Sequence, residues 1–339
     1  MCLAPIDAAS NLNPLGPGEK SIQALRSSIL LCGAYPEITS HHLTKHISST
    51  CDVDLDQIIV GNGSSELIDL IIRAFGRDSM VVCDKYGFFG FSRIANANKR
   101  IVCEVSGSEP FNTSVDDFIS FTESKTVLLF LDNPSNPGGN IRSIDQIIKL
   151  SRSLNPKSIL VIDEAYIEYL PTSNSSIRLV DELVNVVVLR TFSKAYGLAG
   201  VRAGYAVSSK EVINKINSYR LRFNVNIFAQ NAAIAALYDL QHLYKTRQLT
   251  EIFHQFMSNE FDKLEIEHSV TSPSFITLFI NKKSASTLQK CFLDNRILVN
   301  NMSDRFQNGV IRISLIEENN FHLVSQSLLQ FHRQSSSAC

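Results

Sequence analysis

The chain has 339 residues, 44% of them hydrophobic, which is enough for a large core and, at this length, for two domains. Its 32 Lys and Arg against 33 Asp and Glu leave a net charge of −1, which argues against the basic field of a nucleic-acid binder or of a protein held on an anionic membrane. Seven scattered Cys without a Cys-x-x-Cys pair, an N-terminus lacking a basic segment followed by an apolar one, and apolar runs of strand length predict a cytoplasmic protein with free thiols and no membrane span.

In chain order, residues 1–35 read as an arm with one short helix over 20–31, punctuated by Asn13-Pro14, Gly16-Pro17-Gly18 and Tyr35-Pro36. Strands and helices alternate from there. A short strand over 57–60 leads through Gly61-Asn62-Gly63-Ser64-Ser65 into a helix over 66–75. Glycines at such a junction permit a tight turn, and the first helical N–H groups can face an anion or simply receive a cap. Further strands are expected over 80–83, 101–105, 127–131 and 159–162. Ser143 is placed to cap a helix that sets Ile144, Ile147, Ile148 and Leu150 on one face. A buried strand over 186–189 precedes a helical region over 209–240. Strands over 275–280, 297–299 and 310–313 with helices between them complete the chain. The pattern predicts an α/β fold: a large domain over 36–235 with a mostly parallel sheet covered by helices, and a smaller α/β domain over 236–334 joined by the arm. The tail, 335–339, is expected to be disordered.

Five segments carry candidate chemistry. Lys194 follows the end of a strand, where open α/β sheets bind ligands. In a partly apolar pocket its charged form is disfavoured, and the free amine can form a Schiff base with a carbonyl. Thr191, Ser193 and Arg202 around it are the donors a phosphate needs. Asp163 ends a buried strand, where a carboxylate needs a partner; a pyridinium nitrogen or a helix cap would each serve. Asn136, in the rigid loop Asp132-Asn133-Pro134-Ser135-Asn136-Pro137, can donate to a phenolic oxygen. Tyr86 follows the strand that ends at Cys83 and could stack on a flat heterocycle, whereas Phe88, Phe89 and Phe91 read as core. Arg312 interrupts an apolar strand and could fork a carboxylate or form a structural ion pair. His42 and His46 have helical zinc spacing but no accompanying ligand, so no metal site is expected.

In combination these segments resemble the fold type I pyridoxal-phosphate-dependent aminotransferases, and among them the histidinol-phosphate aminotransferases, from about Asn11 to the Arg312 region. The resemblance implies that Lys194 carries pyridoxal 5'-phosphate and that Asp163 holds its ring nitrogen. It further implies that Asn136 and Tyr166 bond the ring oxygen and that Tyr86 stacks on the ring. Ser64, Ser65, Thr191, Ser193 and Arg202 would hold the phosphate, and Arg312 the substrate carboxylate. Tyr35 would reach the phosphate of a neighbouring subunit, implying a homodimer with shared sites. Asn13 lies in the arm expected to close over substrate. Arg220 and Arg222, flanking Phe223-Asn224-Val225, are candidates for a substrate anion or plain solvated side chains. Gly138, Ala34, Leu12 and Leu15 depart from the family pattern, which commonly has Thr, Arg, an acidic residue and an aromatic there. The Asn-Pro-Leu-Gly form of the arm is similar to threonine-phosphate decarboxylases. The expected reaction is amino transfer from L-histidinol phosphate to 2-oxoglutarate, with decarboxylation, or amino transfer in a specialised biosynthetic pathway, as the alternatives. A nicotinamide-dependent oxidoreductase is disfavoured, because no Gly-x-Gly-x-x-Gly follows a strand.

Overall fold

Val127–Asp132 and Ile159–Asp163 are buried along their whole length and lie at the centre of a seven-stranded sheet. The computed structural model describes residues 4–170, 175–269, 273–306 and 308–336. Among these, the strands in chain order are β1 (Ile6–Ala8), β2 (Ile58–Gly61), β3 (Met80–Asp84), β4 (Val102–Val105), β5 (Val127–Asp132), β6 (Ile159–Asp163), β7 (Val186–Thr191), β8 (Gly204–Ser208), β9 (Phe275–Ile280), β10 (Ile297–Asn301) and β11 (Gly309–Ser314). The large sheet runs β2-β8-β7-β6-β5-β3-β4, with parallel pairing from β7 to β4. Its strands read as unbroken apolar runs because helices cover both faces. Leu128, Phe130 and Val161 pack with the helices Ser64–Phe75 and Lys210–Asn217, while Leu129, Leu131 and Ile162 face the opposite core with Ile147 of the helix Ile144–Ser153.

Strand β8 is not foreseen by the hydrophobic pattern. It runs antiparallel between β2 and β7 and aligns Gly204 with both Gly61 and Thr191. That register draws the turn after β2 against the end of β7. A Cβ on Gly204 would lie 2.7 Å from the Ser64 nitrogen and 2.9 Å from the Arg190 oxygen, so only glycine allows the three backbones to meet.

Local rules set the helix ends. Ser143 and Gln146 form a capping box, each side chain taking the other's N–H. The helical region expected over 209–240 holds two helices, Lys210–Asn217 and Ile227–Leu237. Phe223 between them adopts φ +60°, and the Asn226 side chain caps the second by accepting from Ala229 N at 2.8 Å. The helix Leu240–Asp262 then spans 23 residues. No described helix is long and apolar enough to cross a membrane.

The smaller sheet runs β1-β10-β11-β9, with β1 from the N-terminal arm parallel to β10 and the other pairs antiparallel. The last helix, Phe321–Ser336, extends into the tail for which disorder is expected, and 337–339 lie outside the described residues.

Candidate active site

The carboxyl ends of β2, β5, β6 and β7 open on one side of the large sheet, and a cavity of about 270 Å³ lies there. Ten of the expected residues line it: Ser64, Ser65, Asn136, Asp163, Tyr166, Thr191, Ser193, Lys194, Arg202 and Arg312. Lys194 Nζ donates to the carbonyls of Asn11 (3.2 Å) and Ser10 (3.4 Å) and sits 5.6 Å from the Tyr166 ring centroid. No carboxylate forms an ion pair with it among the described residues, so its amine is held by the arm alone.

Asp163 is buried, and its Oδ1 accepts the Ala165 N–H at 3.0 Å. Burial first and the neighbouring Asp132 second push its carboxyl up to about 7, against the pull of that N–H and of the Lys194 ammonium. Asp132 stands beside it in register on β5, also buried and also in the cavity. Burial lifts Asp132 to about 6, and its Oδ2 accepts from Phe88 N (3.1 Å) and Asn136 N (2.6 Å). Asp132 thereby clamps the Tyr86–Phe89 turn to the Asn-Pro loop, in which both X-Pro bonds are cis.

A cradle of donors closes the other end. Arg202, at φ +65°, donates to Ser193 Oγ at 3.3 Å, and Ser193 Oγ is 3.0 Å from Thr191 Oγ1. Gly63 starts the twelve-residue helix Ser64–Phe75 without a side-chain cap, leaving its first N–H groups free for an anion. A Cβ on Gly63 would come within 2.5 Å of Arg202 Nη2, so glycine lets the helix N-terminus and the guanidinium share one space.

Between these ends, Tyr166 OH accepts from Asn11 Nδ2 (2.8 Å) and Asn136 Nδ2 (3.2 Å). Arg312 of β11 donates to Asn136 Oδ1 and to the Ala9 carbonyl, and its buried Nε has no partner. The end of β10 supplies Asn300 to the wall, and the segment after it Met302 and Arg305.

Five expected residues lie elsewhere. Tyr86 packs against Phe111 (4.9 Å) and Phe306 (5.6 Å), because Asp84 accepts its N–H in a tight turn; Phe88 and Phe89 line the cavity instead. Asn13 is a clasp rather than a lining residue: its Nδ2 donates to the Ala195 carbonyl and Thr246 Oγ1. Arg220 borders a separate surface hollow, and Arg222 is exposed. Tyr35 is 83% exposed and stacks on Phe223 with centroids 4.7 Å apart. His42 and His46 meet edge to face, and no cluster of metal-binding side chains occurs among the described residues.

Sequence reasoning missed Asn11, Asn300, Met302 and Arg305, and also a buried network beneath the site. In that network Arg190 of β7 bridges Glu164 (2.8 Å) and Glu168 (2.6 Å) and donates to Ser175 Oγ. The residues present fit pyridoxal phosphate. Asp163 is a buried carboxyl without a cationic side-chain partner, suited to a ring N–H⁺. The Gly63–Arg202–Ser193 cradle suits a dianionic phosphate, and an unpaired lysine amine lies between them.

Comparison with known proteins agrees with that fit. The aminotransferase class I and II family model matches residues 22–326. The chain is 33% identical over 327 residues to histidinol-phosphate aminotransferase 1 of Psychrobacter arcticus, covering 94% of this chain and 86% of that one. It is 32% identical over 298 residues to histidinol-phosphate aminotransferase of Caldicellulosiruptor saccharolyticus, covering 86% and 82%. In structure it resembles histidinol-phosphate aminotransferase of Sinorhizobium meliloti in complex with pyridoxal-5'-phosphate (TM-score 0.90, 22% identity, 97% and 91% covered). It also resembles L-threonine-O-3-phosphate decarboxylase of Porphyromonas gingivalis (TM-score 0.84, 21% identity, 97% and 99% covered). The chain therefore belongs to the class I and II aminotransferase family, as an enzyme that moves amino groups with pyridoxal 5'-phosphate.

Proposed function

We propose that this aminotransferase takes its amino group from a phosphorylated amine, with L-histidinol phosphate as the leading substrate, and gives it to a 2-oxo acid such as 2-oxoglutarate. The observation that carries the reading is the convergence of Lys194 and buried Asp163 with the phosphate cradle in one cavity. The names of the curated relatives supply the substrate.

Bound in this cavity, the cofactor supplies an aldehyde that condenses with amines and a protonated ring that draws electrons from the substrate's α-carbon. Asp163 keeps the proton on the ring nitrogen. Asn136 and Tyr166 hold the ring oxygen, and Asn11 fixes the Tyr166 hydroxyl from the other side. Ser64, Ser65, Thr191, Ser193 and Arg202 would hold the phosphate, and the Lys194 amine, lining the same cavity, would carry the α-proton. Arg312 would fork a carboxylate through its unpartnered Nε and the Nη hydrogens not already given to Asn136 and Ala9. Tyr86, expected to stack on the ring, is outside the cavity lining, and Phe88 and Phe89 are the phenyl rings in it that could stack there.

The active unit is a homodimer with Tyr35 reaching across it, each chain dividing into residues 36–235 and 236–334 with the arm joined to the latter. The free thiols at Cys32, Cys51, Cys83, Cys103 and Cys291 suit a reducing cytoplasm. Incubation of the purified protein with L-histidinol phosphate and 2-oxoglutarate is expected to yield glutamate without CO₂. Release of CO₂ from a phosphorylated amino acid, with no glutamate formed, would replace this reading by decarboxylation.

A further inference from the structure

Arg305 lines the cavity, yet no described carboxylate pairs with it. Its guanidinium lies 4.8 Å from the Phe306 ring centroid and 5.7 Å from that of Phe89. Only Nη2 has protein acceptors among the described residues, the carbonyls of Gly87 (3.0 Å) and Lys85 (3.4 Å). Those bonds and the two rings set the plane of the fork and leave Nε and Nη1 for a ligand.

The charges around the cavity show what that ligand is. Lys194, Arg202, Arg305 and Arg312 face Asp132 and Asp163. Under the function proposed above, Arg202 is taken by the cofactor phosphate, Asp163 by the ring nitrogen and Lys194 by the cofactor carbonyl. Asp132 is spent on two loop N–H groups. Two arginines remain. Arg312 on β11 stands opposite Asn300 of β10, and the chain runs on from Asn300 through Met302 to Arg305. One continuous wall thus carries a guanidinium at each end.

We propose that Arg305 is the specificity residue that grips the distal anion of the substrates: the phosphate of the amino donor and the second carboxylate of the 2-oxo acid. The two substrates occupy the site in turn, so one arginine serves both. This inference rests on the proposed function and moves the second anion site from Arg220 and Arg222, which do not line the cavity, to the segment after β10.

The test uses holoenzyme carrying Arg305→Ala and, separately, Arg305→Gln, which keeps a donor for the Gly87 carbonyl. Aminated enzyme is mixed with 2-oxoglutarate or with pyruvate, and unaminated enzyme with L-histidinol phosphate or with L-histidinol. In both variants the preference for the dianionic acceptor, and likewise for the phosphorylated donor, should fall about tenfold or more as a ratio of kcat/KM, the loss of a charge-assisted hydrogen bond. A drop in one pair alone would overturn the shared grip and leave Arg305 to that substrate's anion only. A purely structural role would lower both members of each pair together and leave the ratios unchanged, which would overturn the inference while amino transfer persists. Wild-type enzyme that turns over neither pair would overturn the proposed function as well.

Discussion

Asp163 carries two opposite demands, and a single substitution separates them. Without cofactor, the folded chain keeps the Asp163 proton up to about pH 7, whereas an ordinary aspartate releases it near 3.8. Between those values the folded state binds more protons than the unfolded one. Stability therefore falls as pH rises through that window, and the whole loss is present above it. Asp163→Asn keeps an acceptor for Ala165 N–H and removes the charge. The cofactor-free variant should melt higher than cofactor-free wild type at pH 8, by a few kcal/mol at most given about 1.4 kcal/mol per pKa unit, and the gap should close toward pH 4. The loaded enzyme should respond in the opposite sense, with kcat down by about 10²–10³ when the ring nitrogen loses its counter-charge. Thermal melts at two pH values and steady-state kinetics check the two halves. Asp163 was legible in the sequence because a carboxylate ending an apolar strand stands out locally. Asn11 was not: φ +52° turns it toward Tyr166 while Asn13, two residues on, is turned into the arm's clasp. Arg305 escaped for a similar reason, since only the pairing of β10 with β11 brings its segment over the cavity.

At the scale of elements, the site depends on how closely β2, β7 and β8 approach. Gly204→Ala places a methyl against the Ser64 nitrogen and the Arg190 carbonyl, backbone atoms that give way only if their whole segment shifts. The strain, about 1–3 kcal/mol for overpacking, is relieved most readily by moving the Ser64 turn away from Arg202. Pyridoxal phosphate should then bind more weakly in a spectral titration while circular dichroism stays that of the parent. Arg190 pins the same strand from below. Arg190→Met would leave Glu164 and Glu168 buried without their cation, and unfolding by denaturant should show a loss of about 3–5 kcal/mol. The runs that make β5, β6 and β7 announce themselves in sequence because both sheet faces are covered. Strand β8 and the Arg190 network do not, because a five-residue segment and a charge inside an apolar run acquire their meaning from partners far along the chain.

The whole molecule exposes an apolar surface that a single chain does not cover. Leu30 is 90% and Leu221 74% exposed, and Tyr35 stacks outward on Phe223. These are the apolar side chains that the proposed homodimer would cover. In a two-fold dimer the same patch serves both copies, so a residue reaching out from one chain has its counterpart reaching back. Tyr35, expected to touch the cofactor phosphate of the other subunit, lies outside the cavity of its own chain. That placement makes complementation the decisive measurement. Lys194→Ala chains lack the amine and should be inactive; Tyr35→Phe chains keep the ring but lose the hydroxyl and should be weakened. A hybrid dimer then contains one site with both groups intact and one with neither. Random mixing makes half the dimers hybrid, so activity should rise toward about one quarter of wild type, above the value given by the weakened chain alone. Hybrids verified by mass that gain nothing would show that Tyr35 serves its own chain or no site at all. Sedimentation of the wild-type chain as a monomer would remove the shared site altogether.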